Sequence, residues 1–428
     1  RRALLVLLAT PVLWAQQPVQ KTPPRTATND VREVLHGVEL VDPYRWLEDQ
    51  KSPETRAWID AQNEYTQSLL SPWAGREPLK QRLTQLMKID TLGVPRVRNG
   101  RYFFSKRLAN QDLFVIYMRK GLKGKDEVLI DPHSLSVDLS TSVTLLDVSE
   151  DGTVLAYGIR QGGEDEIAIR LLDVATRKDL PDRLPRARYF GLSLKPDKSG
   201  FYYSRHEPHG PRVYYHAMGT DPASDVEIFG EGYGPEKIIG AGLSEEGRYL
   251  LIHVFHGAGA RKTEVYFQDV AGQGPIVPVV NDLDARFFGQ IAGDQLFLQT
   301  NWEAPNERIF VVDLANPARE HWREVIPEGK AVLTGFSLAG GKLCVNYLEN
   351  VISRVKVFEP DGRHRRDISF PALGSVSGLS GRWSSKEAFF AFTSFHIPTT
   401  IYRYDVSKGR QDVWARLQVP IASDRFEV

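Results

Sequence analysis

The sequence lacks most of the features that would point directly to a chemistry. Cysteine occurs once, at Cys344, so no disulfide can form within the chain and a multi-cysteine zinc site is excluded. Cys344 sits in the strand-like run Leu343-Cys344-Val345-Asn346, where a small buried apolar side chain is expected. Neither sign of charge dominates, because 54 basic residues balance 54 acidic ones. No Lys/Arg block rises above a solvated surface, so neither nucleic acid nor an anionic membrane is an expected partner. No Gly-x-Ser-x-Gly occurs in the 428 residues, and with it the strand–turn–helix nucleophile elbow is missing. The nearest strings fail: Gly191-Leu192-Ser193-Leu194 is followed by Lys195, and Gly374-Ser375-Val376-Ser377-Gly378 has Val at its centre. There is no His-Glu-x-x-His, and Gly230-Glu231-Gly232-Tyr233-Gly234 lacks the third spacing of a dinucleotide loop. His253 and His256, three apart in a strand-to-turn region, would not share a face as metal ligands should. His206, His209 and His216 read as solvated loop histidines. No catalytic residue, metal ligand or cofactor site is therefore expected within this chain.

Long apolar runs are also missing, with one exception at the start. Arg1-Arg2 precede an apolar stretch from Ala3 to Trp14 that ends at Ala15-Gln16. A basic start, about a dozen apolar residues and a small residue at the end read as a secretory signal peptide over residues 1–15, too short to span a bilayer. That reading places the protein outside the cytoplasm, secreted or periplasmic. Residues 16–30, rich in Pro, Thr and Gln, read as a flexible lead-in.

What the chain has in quantity is a recurring turn. Gly100, Gly152, Gly200, Gly247, Gly293, Gly341 and the Ser385-Lys386 turn each precede a short, mostly apolar run. The markers are spaced by about 44 to 52 residues, a period typical of propeller blades. Roughly a dozen residues after each marked strand comes a second one, often closing on an Asp turn, as in Leu172-Asp173 and Val312-Asp313. One such unit cannot cover both faces of its own sheet, so neighbours must cover one another. A radial array of four-stranded blades meets that need. The expected fold class is mainly β: a seven-bladed β-propeller over residues 95–415. A β-sandwich would not repeat a marker seven times.

Before it, residues 31–94 change character. Ser52 is a good N-cap, Pro53 suits the first helical turn and Glu54 favours the positive end of a helix. Trp58, Ala61, Tyr65 and Leu69 then recur at helical spacing, and a second helix from about Pro78 carries Leu79, Leu83, Leu86 and Met87 on one side. This short helical N-terminal segment needs a surface to lie on.

The run Asp42-Pro43-Tyr44-Arg45-Trp46-Leu47-Glu48-Asp49, with Ala61-Gln62-Asn63 after it, resembles the opening of the prolyl oligopeptidase family of serine peptidases. The likeness continues through Ser149-Glu150-Asp151-Gly152, Tyr214-Tyr215-His216, Gly247-Arg248-Tyr249-Leu250, Thr300-Asn301 and Phe392-Thr393-Ser394-Phe395, covering about residues 31–428. The resemblance implies a propeller lying as a lid over an α/β-hydrolase domain, with short proline-containing peptides cleaved after proline. It implies that the helices pack on the hydrolase domain and that residues 416–428 approach that domain's first strand. The whole triad would then lie beyond Val428, in the chain's own C-terminal hydrolase domain, and the 428 residues alone would be inactive. A monomer and no cofactor are implied for the complete protein. Three positions fall where the family lines its cavity: Tyr189 at an aromatic facing the proline pocket, Ile238 at an apolar contact, and Ala258 where some members carry a cysteine. Leu194 replaces a tryptophan common in the family, and Glu164-Asp165-Glu166 departs from its Ser-Asp-Trp string. The alternative is a stand-alone propeller that binds peptide or protein ligands without catalysis.

Overall fold

The computed structural model describes residues 22–426, so the signal peptide expected over 1–15 and the first part of the lead-in lie outside the described residues. The chain divides into two compact units at the Met87–Lys88 junction.

In the first unit, strands β1 (Val31–Leu35) and β2 (Val38–Asp42) form an antiparallel hairpin. Its two-residue turn, His36-Gly37, holds φ of 51° and 81°, the left-handed pair that matches strand twist. Helix α1 (Pro53–Leu70) begins where the sequence predicts, because Ser52 Oγ accepts the Thr55 N–H at 3.1 Å and Pro53 takes the first turn. Helix α2 spans Arg76–Met87. Part of the stretch expected as a flexible lead-in is tied down. Trp58 Nε1 donates to Thr26 Oγ1 at 3.0 Å, and Trp46 Nε1 donates to the Ala27 carbonyl at 3.0 Å. Arg45 joins the hairpin to the segment that follows it, through Glu33 at 2.6 Å and Asp42 at 2.8 Å. Thr55 is the one buried residue of α1, α2 has none, and Leu69, Leu70, Leu79 and Leu83 are exposed.

The second unit is built of antiparallel sheets, and here the expected seven-bladed layout is corrected. Five sheets of four or five strands stand as separate blades, within residues 91–130, 238–280, 287–326, 332–368 and 375–416. The second and third repeats do not make two more. They share the 17-residue strand Lys178–Leu194 and form a single seven-stranded sheet over residues 141–229. Lys178 to Ala187 pair with Ile167–Asp173, while Arg188 to Leu194 pair with Gly200–Glu207. Between Lys178 and Phe190 no Gly or Asn offers a left-handed turn, and the strand Lys178–Leu194 runs on through three register shifts, two against Ile167–Asp173 and one between Tyr189 and Gly191. Five of the seven markers lie in turns, while Gly200 and Ser385-Lys386 open the strands Gly200–Glu207 and Ser385–Thr393, so the markers count strand starts and not sheets. Among the described residues the α-helices number two.

Apolar clusters fill the space between successive sheets. Phe103, Ile116 and Leu155 pack between the first two sheets, and Phe297, Val345 and Phe336 pack between the blades at 287–326 and 332–368. Each fully buried large side chain contributes about 1.5–3 kcal/mol relative to its exposed state. Cys344 is fully buried among Phe390, Val357 and Tyr404, and that apolar setting pushes its thiol up to about 12. The last sheet closes on the first. Tyr102 meets Phe389 edge-on at 6.0 Å, Trp414 meets Phe104 at 5.2 Å, and Tyr102 donates to Glu387 at 3.1 Å.

Candidate functional site

The innermost strands of the sheets point their C-terminal ends toward one another. Arg96 Nη1 donates to the Leu146 carbonyl at 2.7 Å, the Leu194 N–H donates to Asp147 at 2.9 Å, and the Leu243 N–H donates to Ser193 at 3.1 Å. At this end lies a charged cavity of about 670 Å³, lined by Arg98, Glu150, Glu245, Arg382 and Ser384 among others. Arg382 holds Glu150 at 2.7 Å and Glu245 at 3.2 Å, and Arg98 lies 3.6 Å from Glu150 and 3.9 Å from Asp147. Glu245 also accepts the Trp383 N–H at 2.7 Å and the Ser384 N–H at 3.2 Å, so it bridges sheets 138 residues apart in the chain. Burial works against the Glu245 charge. The Ser384 hydroxyl, the Arg382 guanidinium and two backbone N–H groups outweigh it, and the carboxyl is held below its ordinary range. Arg98 is shifted down by burial first and by the neighbouring Arg382 charge second. In such half-buried networks desolvation offsets most of the Coulomb gain, so the bridge fixes geometry more than it adds stability.

The opposite end of the inner strands is aromatic. Phe190 and Phe288 are 41% and 45% exposed. Phe288 stacks on His253 at 5.3 Å and meets Phe336 edge-on at 6.3 Å. His253 Nε2 accepts the Gly289 N–H at 2.9 Å, and full burial lowers its pKa to about 4. A cavity of about 590 Å³ is lined by Phe255, Ala258, Phe288 and Phe336, with the Arg286–Glu307 pair, 2.7 Å apart, at its rim. A second, of about 450 Å³, takes in Phe190, Gly242, His253 and Phe288 and runs along the wall to Leu243 and Glu245, which also line the charged cavity.

Of the three positions picked from sequence, Ala258 is exposed and lines the larger aromatic cavity. Tyr189 is half-buried on the long strand; its ring meets Tyr203 edge-on at 5.9 Å and its hydroxyl donates to the Pro185 carbonyl. Burial, the leading cause, raises the pKa of that hydroxyl. Ile238 opens the inner strand Ile238–Leu243 and pairs with Phe255. The strands carrying Tyr189 and Ile238 touch at Gly191, where an added Cβ would meet the Ala241 carbonyl at 2.9 Å. Neither residue lines the cavity that holds Ala258. Sequence reasoning missed Phe190, Phe288 and Phe336. A signal was present: Ala187-Arg188-Tyr189-Phe190-Gly191 recurs as Ala285-Arg286-Phe287-Phe288-Gly289, and strand alternation sends the two central aromatics to opposite faces.

His216 is not the solvated loop residue its sequence neighbourhood suggested. It lies inside the strand Gly210–Ala217, fully buried, with Nδ1 2.6 Å from Asp225 and Nε2 3.2 Å from Asp182. Tyr203 donates to the same Asp225 at 2.8 Å, which makes this a cross-strand tie of the seven-stranded sheet.

Comparison with known proteins agrees with this architecture. The family profile described as "Prolyl oligopeptidase, N-terminal beta-propeller domain" matches residues 23–416. A prolyl endopeptidase of Elizabethkingia meningoseptica is 30% identical over 415 residues, 94% of this chain and 58% of the relative. Dipeptidyl aminopeptidase BI of Pseudoxanthomonas mexicana is 26% identical over 453 aligned positions, 98% of this chain and 61% of the relative. A structure from a mechanistic study of two prolyl endopeptidases superposes with a TM-score of 0.89 at 32% identity, covering 94% of this chain and 61% of the other. Prolyl oligopeptidase B of Galerina marginata, bound to a 25mer macrocyclization substrate, gives 0.83 at 25% identity, covering 94% and 62%. The chain thus spans about three fifths of the length of the relatives it matches. A profile covering nearly the whole chain and two independent structural likenesses leave one assignment: the chain belongs to the prolyl oligopeptidase family, and residues 23–416 are its N-terminal β-propeller domain.

Proposed function

We propose that this chain is the substrate-selecting portion of a serine peptidase that cleaves short peptides after proline. The catalytic serine, histidine and acid are supplied by an α/β-hydrolase domain of the same, longer polypeptide. Full-length protein would form an acyl-enzyme through the activated serine, with an oxyanion hole stabilising the tetrahedral intermediate. The propeller admits flexible peptides and excludes folded proteins. Secretion or export to the periplasm belongs to the same reading.

The observation that carries the proposal is the placement of the propeller's two chain ends. Thr91 pairs with Arg107, and Arg416 pairs with Thr400. Both lie at the ends of their sheets remote from Arg98, Ser384 and the ion network, on the aromatic side. One domain seated there would receive both ends of the chain. The exposed leucines of α1 and α2 offer that domain a further apolar surface. At the other end, the Glu245–Arg382–Glu150 bridge narrows the channel and acts as a size filter.

The experiment compares the 428-residue chain with the longer gene product on a chromogenic proline peptide. The longer protein should release product and lose activity to a serine-directed phosphonate, while the 428 residues alone should not. Turnover by the 428 residues, or none by the longer protein, would overturn the assignment. For the filter, Glu245→Gln in the longer protein should raise cleavage of a peptide of about 30 residues relative to a pentapeptide. An unchanged ratio would refute it.

A further inference from the structure

One two-residue turn combines a reactive dipeptide with a place beside the ion network. Asn99-Gly100 is the one Asn-Gly in the sequence. It joins the strands Arg96–Arg98 and Arg101–Arg107 at the pair Arg98 and Arg101, with φ of 47° and 70°. Both residues are exposed, and both line the charged cavity. Among the described residues no hydrogen bond engages the Gly100 N–H, and a Cβ on Gly100 would meet nothing within 4 Å. The Asn99 carboxamide makes one long contact among those residues, donating to the Asp151 carbonyl at 3.5 Å. Other asparagines are held or shielded. Asn301 accepts the Arg286 N–H at 2.7 Å, Asn306 donates to the Gly329 carbonyl at 3.0 Å, and Asn316 precedes Pro317, which has no N–H. Asn350 supplies the sharpest contrast. Its turn has φ of 48° and 62°, but it continues into Val351, whose branched side chain crowds the backbone nitrogen.

We propose that Asn99 is a self-modification site: in water the Gly100 nitrogen attacks the Asn99 side-chain carbonyl carbon and converts the dipeptide, through a cyclic imide, to aspartyl- and isoaspartyl-glycine. The bond from Gly100 N to Asn99 Cγ forms, the Cγ–Nδ2 bond breaks, and ammonia leaves with the proton that the nitrogen gave up. One water then opens the imide, and nothing is oxidised or reduced. Opening at Cγ returns an ordinary aspartate. Opening at the main-chain carbonyl carbon routes the backbone through Cγ and lengthens it by a methylene. Either product alters the charged end. An aspartate cannot donate to the Asp151 carbonyl, and it adds a carboxylate to the wall that already holds Glu150. An isoaspartate does more, because a lengthened connection no longer fits a two-residue turn. The short strand Arg96–Arg98 then loses register, and Arg98 is drawn away from Glu150 and from the Val148 carbonyl. The modification thus releases one side of the ion network as the protein ages; that this widens a peptide passage rests on the size-filter reading.

The test holds the 428-residue chain in mildly alkaline buffer at body temperature. Samples are digested with chymotrypsin for mass spectrometry and assayed as acceptors for an isoaspartyl methyltransferase. The peptide containing Asn99 should gain about one mass unit and become a methyl acceptor. Asn99 should convert at least about tenfold faster than Asn350, because glycine alone leaves the attacking nitrogen uncrowded. Val351→Gly should bring Asn350 up to the rate of Asn99, and Asn99→Gln should silence the first turn. Amide exchange across residues 96–103 should accelerate in the aged chain and stay constant in aged Asn99→Gln. No conversion at Asn99, equal rates at Asn99 and Asn350, or a Val351→Gly chain in which Asn350 converts while Asn99 does not would each overturn the site. Conversion with unchanged exchange would overturn its effect on the strand. None of these readouts involves turnover, so their failure is separate from a failure of the peptidase reading.

Discussion

The two ends of the propeller's inner wall are made of the same strands, yet their chemistry is opposite. One end is closed by Arg98, Glu150, Glu245 and Arg382, the other walled by Phe190, Phe255, Phe288 and Phe336. At the first, side chains reach across the ring to one another, so their interactions are with the protein itself. At the second, rings face outward into open volume. An end that satisfies itself can close a passage; an end that does not is ready to receive something. The chain also enters and leaves the propeller at the second end, where Thr91 pairs with Arg107 and Arg416 with Thr400.

Five substitutions sharpen or break this contrast. The largest effect belongs to Phe336→Ala, which removes a ring only 4% exposed from the floor of the aromatic end. It should cost about 3–5 kcal/mol in denaturant unfolding; a cost under 1 kcal/mol would mean the floor is not part of the core. Next comes acid. The His253 pKa falls from an ordinary 6.5 to about 4 through burial, so the unfolded chain takes up a proton that the folded chain refuses. The stability this neutral ring confers is fully present above about pH 6.5 and is lost as pH falls toward 4, by about 3 kcal/mol in all. His253→Phe should flatten that part of the Tm-against-pH curve, and an unchanged slope would place the titration elsewhere. Third, Glu245→Ala leaves the Trp383 and Ser384 amides without their acceptor, at a cost of about 2 kcal/mol. Hydrogen exchange at those two amides should accelerate, whereas Phe288→Ala at the far end should leave them unchanged. The smallest effect lies off the channel wall. Val351, β-branched and 86% exposed, holds φ of 62° in a hairpin turn. Val351→Gly should stabilise by about 1 kcal/mol, seen as a small rise in Tm.

How much of this was legible in the sequence depends on the range of the interaction. Five of the six marker glycines are real turns, since Gly100, Gly152, Gly247, Gly293 and Gly341 have positive φ between 58° and 72°, whereas Gly200 opens a strand. Their strands follow as read, and Ser52 with Pro53 starts α1 by local hydrogen bonding alone. The fused sheet was not legible from markers, because a missing turn leaves no residue to find. It shows only as a stretch between Lys178 and Phe190 without Gly or Asn, in which Pro181-Asp182 would even suggest a turn. The Glu245–Arg382 bridge was out of reach for another reason. Local periodicity says which face of a strand is buried, but not which strand end meets which across a closed ring. Phe190 and Phe288 lay between these cases, visible as a repeated Ala-Arg-aromatic-Phe-Gly string, yet requiring strand phase to assign a face.

The strand Lys178–Leu194 has a mechanical consequence. Being hydrogen-bonded into two repeats at once, it welds them, so neither can peel away without unzipping the other. The first and last sheets, by contrast, are joined by no strand pairing, only by contacts such as Tyr102 on Phe389 and Trp414 on Phe104. A circle with one weld and one clasp has a preferred place to come undone. Pulled apart, it would part at the clasp, leaving an open chain of sheets rather than scattered fragments.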